Sequence, residues 1–147
     1  MRKDVLARLY DEHGPPIFRF LCGVLGNRED AADVVQTVFA RLAQRGLEGI
    51  ADMRTYLWAA ARNEARSLGR RPEGPHLIPK NGHPVDPGAR ETVEAALRRL
   101  PDEQREVVIL HVFEELTFQE IAGLLEISAD TVASRFRYAR EKLKDIL

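Results

Sequence analysis

Apolar residues recur three and four positions apart through most of the chain, the spacing that lines one face of an α-helix. Val5, Leu6 and Leu9 open the pattern and predict a helix over about Asp4 to Glu12. Gly14-Pro15-Pro16 predicts a kink or restart, because proline removes an N–H donor and is best tolerated in a first turn. Ile17, Phe18, Leu21, Cys22 and Leu25 carry the face on until Gly26-Asn27. A second helix is predicted over about Glu29 to Arg45, with Val34/Val35, Val38/Phe39 and Leu42 inward. Asp52 is placed as the N-cap of a third, reaching about Leu68, with Met53, Leu57, Ala60/Ala61, Ala65 and Leu68 on its inner face.

Helical spacing resumes near Arg90 and predicts a short helix to Arg99. Pro101 starts another that points Val107, Leu110 and Phe113 inward. Thr117-Phe-Gln-Glu120 has the spacing of a capping box and opens a helix of about eight residues. Ser128 then caps a last helix, about Ala129 to Ile146, carrying Val132, Phe136, Ala139 and Leu143 inward. No segment alternates at the period of a strand, so the fold class is all-α.

Between these halves the composition changes. Residues 70–88 hold five of the eight prolines and three of the ten glycines, which excludes a helix or central strand there. The organisation read from this is a domain over 1–71, a linker over 72–88 and a second domain over 89–147. The chain has 147 residues and a net charge of −1, but the charge is unevenly placed. Residues 1–71 carry 12 basic and 9 acidic side chains, net +3; residues 89–147 carry 9 and 12, net −3.

Several function classes are excluded. Cys22 is the only cysteine, so there is no disulfide framework and no cysteine-rich zinc site, which suits a reducing compartment. It lies on an apolar face and reads as core rather than reactive thiol. His13, His76, His83 and His111 are dispersed without metal-ligand spacing, and His111 reads as a core histidine. No glycine loop cradles phosphate, no nucleophile has an obvious base, and no apolar run approaches a membrane span. The expectation is a cytosolic non-enzyme without cofactor, metal, membrane insertion or small-molecule substrate.

Three constellations remain. The pair of capped helices over 117–146 has the pattern of a helix-turn-helix. From Ser128 onward 5 basic residues face 3 acidic ones, a reversal inside an acidic half. Asp130, Thr131, Ala133, Ser134, Arg137 and Tyr138 make the N-terminal face of its second helix with Arg135 and Arg140 flanking, and its hydroxyls and guanidiniums suit base edges and phosphates. An ordinary helical hairpin with solvated charges is the alternative. In the third helix Arg54, Trp58, Arg62, Arg66 and Arg70 recur every four residues, guanidiniums that track phosphates around an aromatic that can stack on an unpaired base. A solvated face with Trp58 partly buried is the alternative. Glu29, Asp30 and Asp33 begin the second helix, where acids complement the helix dipole without any further role.

Taken together, Leu9-Tyr10, Asp30-Ala-Ala-Asp-Val-Val-Gln36, Phe39, Tyr56-Leu57 and Ala61-Arg-Asn63 resemble region 2 of bacterial sigma factors, and of their extracytoplasmic-function group in particular. Leu100-Pro101, Arg105, Leu110, Thr117, Glu120-Ile-Ala122, Ile127-Ser128, Thr131-Val132, Ser134-Arg135, Ala139-Arg140 and Leu143 resemble region 4. The resemblance covers about residues 5–71 and 91–147. It implies the promoter-specificity subunit of RNA polymerase, with core polymerase and promoter DNA as partners and room for an anti-sigma protein. Under it, Asp30, Asp33, Gln36, Phe39 and Arg41 dock on the polymerase clamp. Arg54, Trp58, Arg62, Asn63, Arg66 and Arg70, with the loop Gly46 to Asp52, hold the melted minus-ten element. The helix from Thr131 to Tyr138 enters the minus-thirty-five groove, and the linker threads the polymerase.

The chain departs from the family pattern at Thr37, at Tyr56 with Trp58 two positions on, and at Asp130 and Ala133. The last pair adds an anion and withholds a cation at the base-reading end. A second reading, a sigma-like module that binds an anti-sigma partner or polymerase without reading promoters, therefore stays open.

Overall fold

A computed structural model describes residues 3–68, 77–78 and 86–147. Among them, seven α-helices and one π-helical turn follow in the order α1 (Lys3–Leu25), α2 (Arg28–Arg45), α3 (Met53–Ser67), α4 (Pro87–Arg98), α5 (Asp102–Val108), the π turn (Ile109–Phe113), α6 (Phe118–Leu125) and α7 (Ala129–Ile146). No described residue is in a strand.

The expected restart at Pro15-Pro16 does not occur: α1 runs as one helix through both prolines. A proline in a helix interior costs ~3 kcal/mol or more through a lost bond and a ring clash. Burial of Ile17, Phe20, Leu21 and Cys22 immediately downstream offsets it, at about 1.5–3 kcal/mol per large apolar side chain. Helices α1, α2 and α3 pack on one another around Leu21, Val34, Leu42 and Leu57, all nearly solvent-free. The predicted Asp52 cap is present, accepting from the backbone N–H of Thr55 at 3.3 Å.

In the second half α7 lies against α4, α5 and α6. Helix α4 begins earlier than expected, at Pro87, because Asp86 caps it by accepting from Ala89 N–H. The structure describes only Leu77, Ile78 and residues 86–88 of the expected linker, and Leu77 N–H donates to Glu94 at 2.9 Å. Helix α5 is shorter than predicted and passes into the π turn, closed by Glu114 N–H to Ile109 C=O at 3.0 Å. That turn keeps Ile109 and Leu110 buried while Phe113 is half-buried.

Arg105 organises this corner. It is 6% exposed, and its guanidinium donates to the carbonyls of Leu97, Arg98 and Leu100 at 2.9, 3.0 and 3.0 Å. One planar fork thereby serves the carbonyls at the end of α4, of which Leu97 C=O also accepts from Leu100 N–H.

The two halves share one hydrophobic core. Helix α1 meets α5 and the π turn, and α3 meets α6. At Gly23 the approach is so close that a Cβ would lie 2.9 Å from the Ile109 side chain.

Candidate nucleic-acid interface

The loop before α3 is built by its glycines and by Arg45. Gly46 and Gly49 take φ of +86° and +82°, a region that only glycine enters without strain. The Arg45 guanidinium donates to the carbonyls of Gly46 and Glu48 at 2.8 and 3.0 Å and lies 5.2 Å over the Tyr56 ring, tying the loop back to α3. Asp52 ends the loop. The Thr55 hydroxyl, at 2.8 Å, and then the Thr55 backbone N–H hold its carboxyl below the ordinary value.

Along α3 the arginine stripe divides. Four-residue steps drift by about 40° each on a helix of 3.6 residues per turn, so the stripe cannot keep to one face. Its first three members turn toward the C-terminal half. Arg54 donates to Glu120 at 3.0 Å, and Arg62 makes a two-pronged pair with Glu106 at 2.8 and 3.0 Å, both of its partners' side chains being largely buried. Trp58 is 2% exposed, its ring 5.3 Å from that of Phe20. This corrects the expectation of an exposed stacking aromatic: the indole completes the packing between α1 and α3 and offers no face to a base. Asn63 and Arg66 are exposed, while Arg70 lies outside the described residues.

On α2, Asn27 accepts from Asp30 N–H at 3.0 Å and caps the helix. Asp33 and Gln36 are exposed, Asp30 is half-buried and Arg41 is exposed but bonded to Glu64 at 2.6 Å. Phe39 turns inward, as its spacing predicts, and little of it is left for the docking that the resemblance implies. It is 5% exposed and packs edge-on against Tyr10 with ring centroids 5.1 Å apart, so it is core between α1 and α2 rather than a free contact residue.

The helix-turn-helix forms as its caps predict. Thr117 and Glu120 exchange both bonds of the capping box, at 3.0 and 3.1 Å. Thr117 N–H first, and the Arg54 guanidinium second, hold the Glu120 carboxyl below its ordinary value. Ser128 accepts from Thr131 N–H at 3.1 Å, and the two hydroxyls lie 2.8 Å apart, so Thr131 is engaged in its own cap. Ala133 and Ser134 are half-buried; Arg135 leans back to Glu103 at 3.7 Å. Arg137, Tyr138 and Arg140 are exposed, with the Arg137 guanidinium 5.2 Å over the Tyr138 ring. Beneath α7, His111 stacks with Phe118 and Phe136 and bonds the Leu116 carbonyl through Nδ1 at 2.8 Å, a satisfied core histidine. Cys22 is fully buried, and that burial pushes its thiol up to about 11 despite the nearby Arg28.

Comparisons with known proteins fall on the same two halves. The family model for sigma-70 region 2 matches residues 9–72 and that for sigma-70 region 4 matches residues 90–143. The RNA polymerase sigma-E factor of Streptomyces antibioticus is 30% identical over 160 residues, spanning 99% of this chain and 80% of that one. The chain belongs to the sigma-70 family. Its extracytoplasmic-function group includes the sigma factor EcfG of Rhodopseudomonas palustris, 27% identical over 158 residues, with 100% of this chain and 84% of the relative aligned. By fold it is similar to the sigma factor RpoE of Bartonella quintana, solved with the anti-sigma factor NepR, at a TM-score of 0.73, 21% identity and coverage of 99% and 97%. The region 2 match falls on α1 to α3 and the region 4 match on α4 to α7.

Sequence reasoning missed the bonds between the regions: Arg19 to Glu114 at 3.1 and 3.3 Å, Arg62 to Glu106 and Arg54 to Glu120. Its one available signal was the +3 against −3 division of charge between the halves.

Proposed function

We propose that this chain is a working sigma factor that binds core RNA polymerase, recognises and melts promoter DNA, and acts inside the cell on the chromosome rather than as an enzyme. The observation that carries the reading is the doubly capped helix-turn-helix of region 4, whose second helix leaves Arg137, Tyr138 and Arg140 exposed, joined to a region 2 built to present Asn63 and Arg66. Ser134 and Arg137 share a face of α7 and are assigned to base edges; Arg135 and Arg140 are assigned to phosphates. Asn63, Arg62, Arg66 and the loop of residues 46–52 are assigned to the melted strand, where guanidiniums and an amide can follow a backbone and read an unpaired base. Asp33 and Gln36, three residues apart on α2, are assigned to the polymerase clamp. The Bartonella quintana relative, solved with an anti-sigma factor, extends the partners to an anti-sigma protein.

Reconstitution with core polymerase and promoter-dependent run-off transcription tests the reading. The expected result is a transcript that requires both the chain and a matching promoter, reduced by Arg137→Ala. Polymerase binding without any promoter-dependent transcript would instead identify a module that docks but does not read DNA. Its motivation is the pairing of Asp130 with Ala133 at the reading end, which weakens the local positive field.

A further inference from the structure

We infer that Asp130 is a base-selecting acid of region 4: its carboxylate takes the amino group of one cytosine in the minus-thirty-five groove, from the same stripe of α7 as Ser134 and Arg137. The inference deepens the assignment of α7 to duplex DNA made above and rests on it.

Position on the helix carries the argument. At about 100° per residue, Ser134 lies about 40° and Arg137 about 20° around α7 from Asp130, whereas Val132 lies about 160° away. Val132 is fully buried, so Asp130 faces outward along the row assigned to base edges, and it is exposed. It is also uncommitted. The Ser128 hydroxyl accepts from Thr131 N–H at 3.1 Å and lies 2.8 Å from the Thr131 hydroxyl, so the helix is capped without the acid. Ala129 and Ala133 on either side carry no polar side-chain atom. Among the described residues none bonds to or pairs with the Asp130 carboxylate.

An ionised carboxylate only accepts hydrogen bonds. In the major groove cytosine offers an amino donor, guanine two acceptors, thymine an acceptor and a methyl group, and adenine a donor beside an acceptor. Asp130 is therefore matched by cytosine and opposed by guanine and thymine. Phosphates repel the acid on every sequence, and only the matching base returns what that repulsion takes away, so the residue raises specificity at the expense of general affinity. Arg137 stands about 10 Å further along the axis, at ~1.5 Å per residue, and its fork suits guanine. At ~3.4 Å per base pair that separation is about three base pairs. The departure from the family pattern at Asp130 thus redirects what α7 reads.

The test uses holoenzyme assembled from core polymerase and the full chain. A pool of duplexes randomised over both promoter elements is incubated with it, and the duplexes held in heparin-resistant complexes are sequenced. The native chain should favour cytosine about tenfold over guanine and thymine at one position of the minus-thirty-five element, about three base pairs from a guanine preference that Arg137→Ala abolishes. Asp130→Asn, whose amide pairs with N6 and N7 of adenine, should move the first position from cytosine to adenine and leave the others as they were. Asp130→Ala should flatten that position alone, with helix content retained by circular dichroism in both variants. A profile that Asp130→Ala leaves unaltered, or lowers evenly at every position, overturns the inference and identifies the acid as a partner of the helix dipole alone, with the assignment of α7 standing. A shift in Asp130→Asn to any base other than adenine overturns it as well. Native holoenzyme that enriches a minus-ten sequence but no minus-thirty-five sequence overturns the assignment of α7 to duplex DNA, and this inference with it.

Discussion

Replacing Arg105 with alanine removes one side chain that serves three carbonyls, of which Leu97 C=O keeps a bond from Leu100 N–H at 3.1 Å. The guanidinium serves Leu97, Arg98 and Leu100 at 2.9 to 3.0 Å from a position 6% exposed, with Asp102 at 3.4 Å completing its surroundings. Burial lowers the pKa of Arg105 from its ordinary value, opposed by Asp102, yet guanidinium stays charged at neutral pH. A hydrogen bond to a charged group nets ~1.5–3 kcal/mol. Three such bonds from one side chain are not additive, because water enters the space the arginine leaves; about 3–5 kcal/mol is expected, the range for breaking a buried ionic network. Against a total of ~5–15 kcal/mol for an ordinary protein this is a large fraction. At about 2–4 °C per kcal/mol for a chain of about 150 residues, Tm falls by roughly 6–20 °C. Urea unfolding followed by circular dichroism measures it as a lower midpoint with unchanged slope. Arg105→Lys should recover little, since an ammonium cannot reach three divergent acceptors with a planar fork's geometry. A loss below about 1 kcal/mol in Arg105→Ala, or full recovery in Arg105→Lys, would refute the view that this residue stitches α4 to α5.

Three further outcomes follow from exposure and charge. Asp33→Ala with Gln36→Ala should weaken capture by core polymerase while changing stability by less than ~0.5 kcal/mol, as both residues are exposed on α2; undiminished capture would remove them from the docking surface. Asn63→Ala should reduce open-complex formation, read by permanganate footprinting, with polymerase binding and thermal unfolding unaltered, because its side chain is exposed and caps nothing. Acid should loosen the helix-turn-helix: the folded pKa of Glu120 lies below its ordinary 4.5, so its contribution is complete above that pH and is lost as pH falls through the lowered value. Glu120→Gln should flatten that part of the stability profile between pH 5 and 2, and an unchanged profile would dismiss the capping box as its source.

Local chemistry made much of this protein legible in its sequence. Apolar spacing located the helices, and Asp52, Thr117 with Glu120, and Ser128 marked helix starts because a short polar side chain satisfies orphan N–H groups within three residues of itself. The burial of Cys22 and the inward turn of Val132 and Ala139 follow from the same periodicity. Where a decision required knowing what lay opposite, the sequence was silent. The prolines of α1 are carried through by core packing just downstream, a gain invisible to local propensity. Arg105 is one residue among many arginines until α4 ends against it. Trp58 and Arg62 share a four-residue rhythm with Arg66, yet the first two are closed and the third is open. Helical repeat decides only which residues share a stripe; which part of the stripe meets Glu106, Leu116 or solvent is decided by where the second half docks, through contacts between residues tens of positions apart.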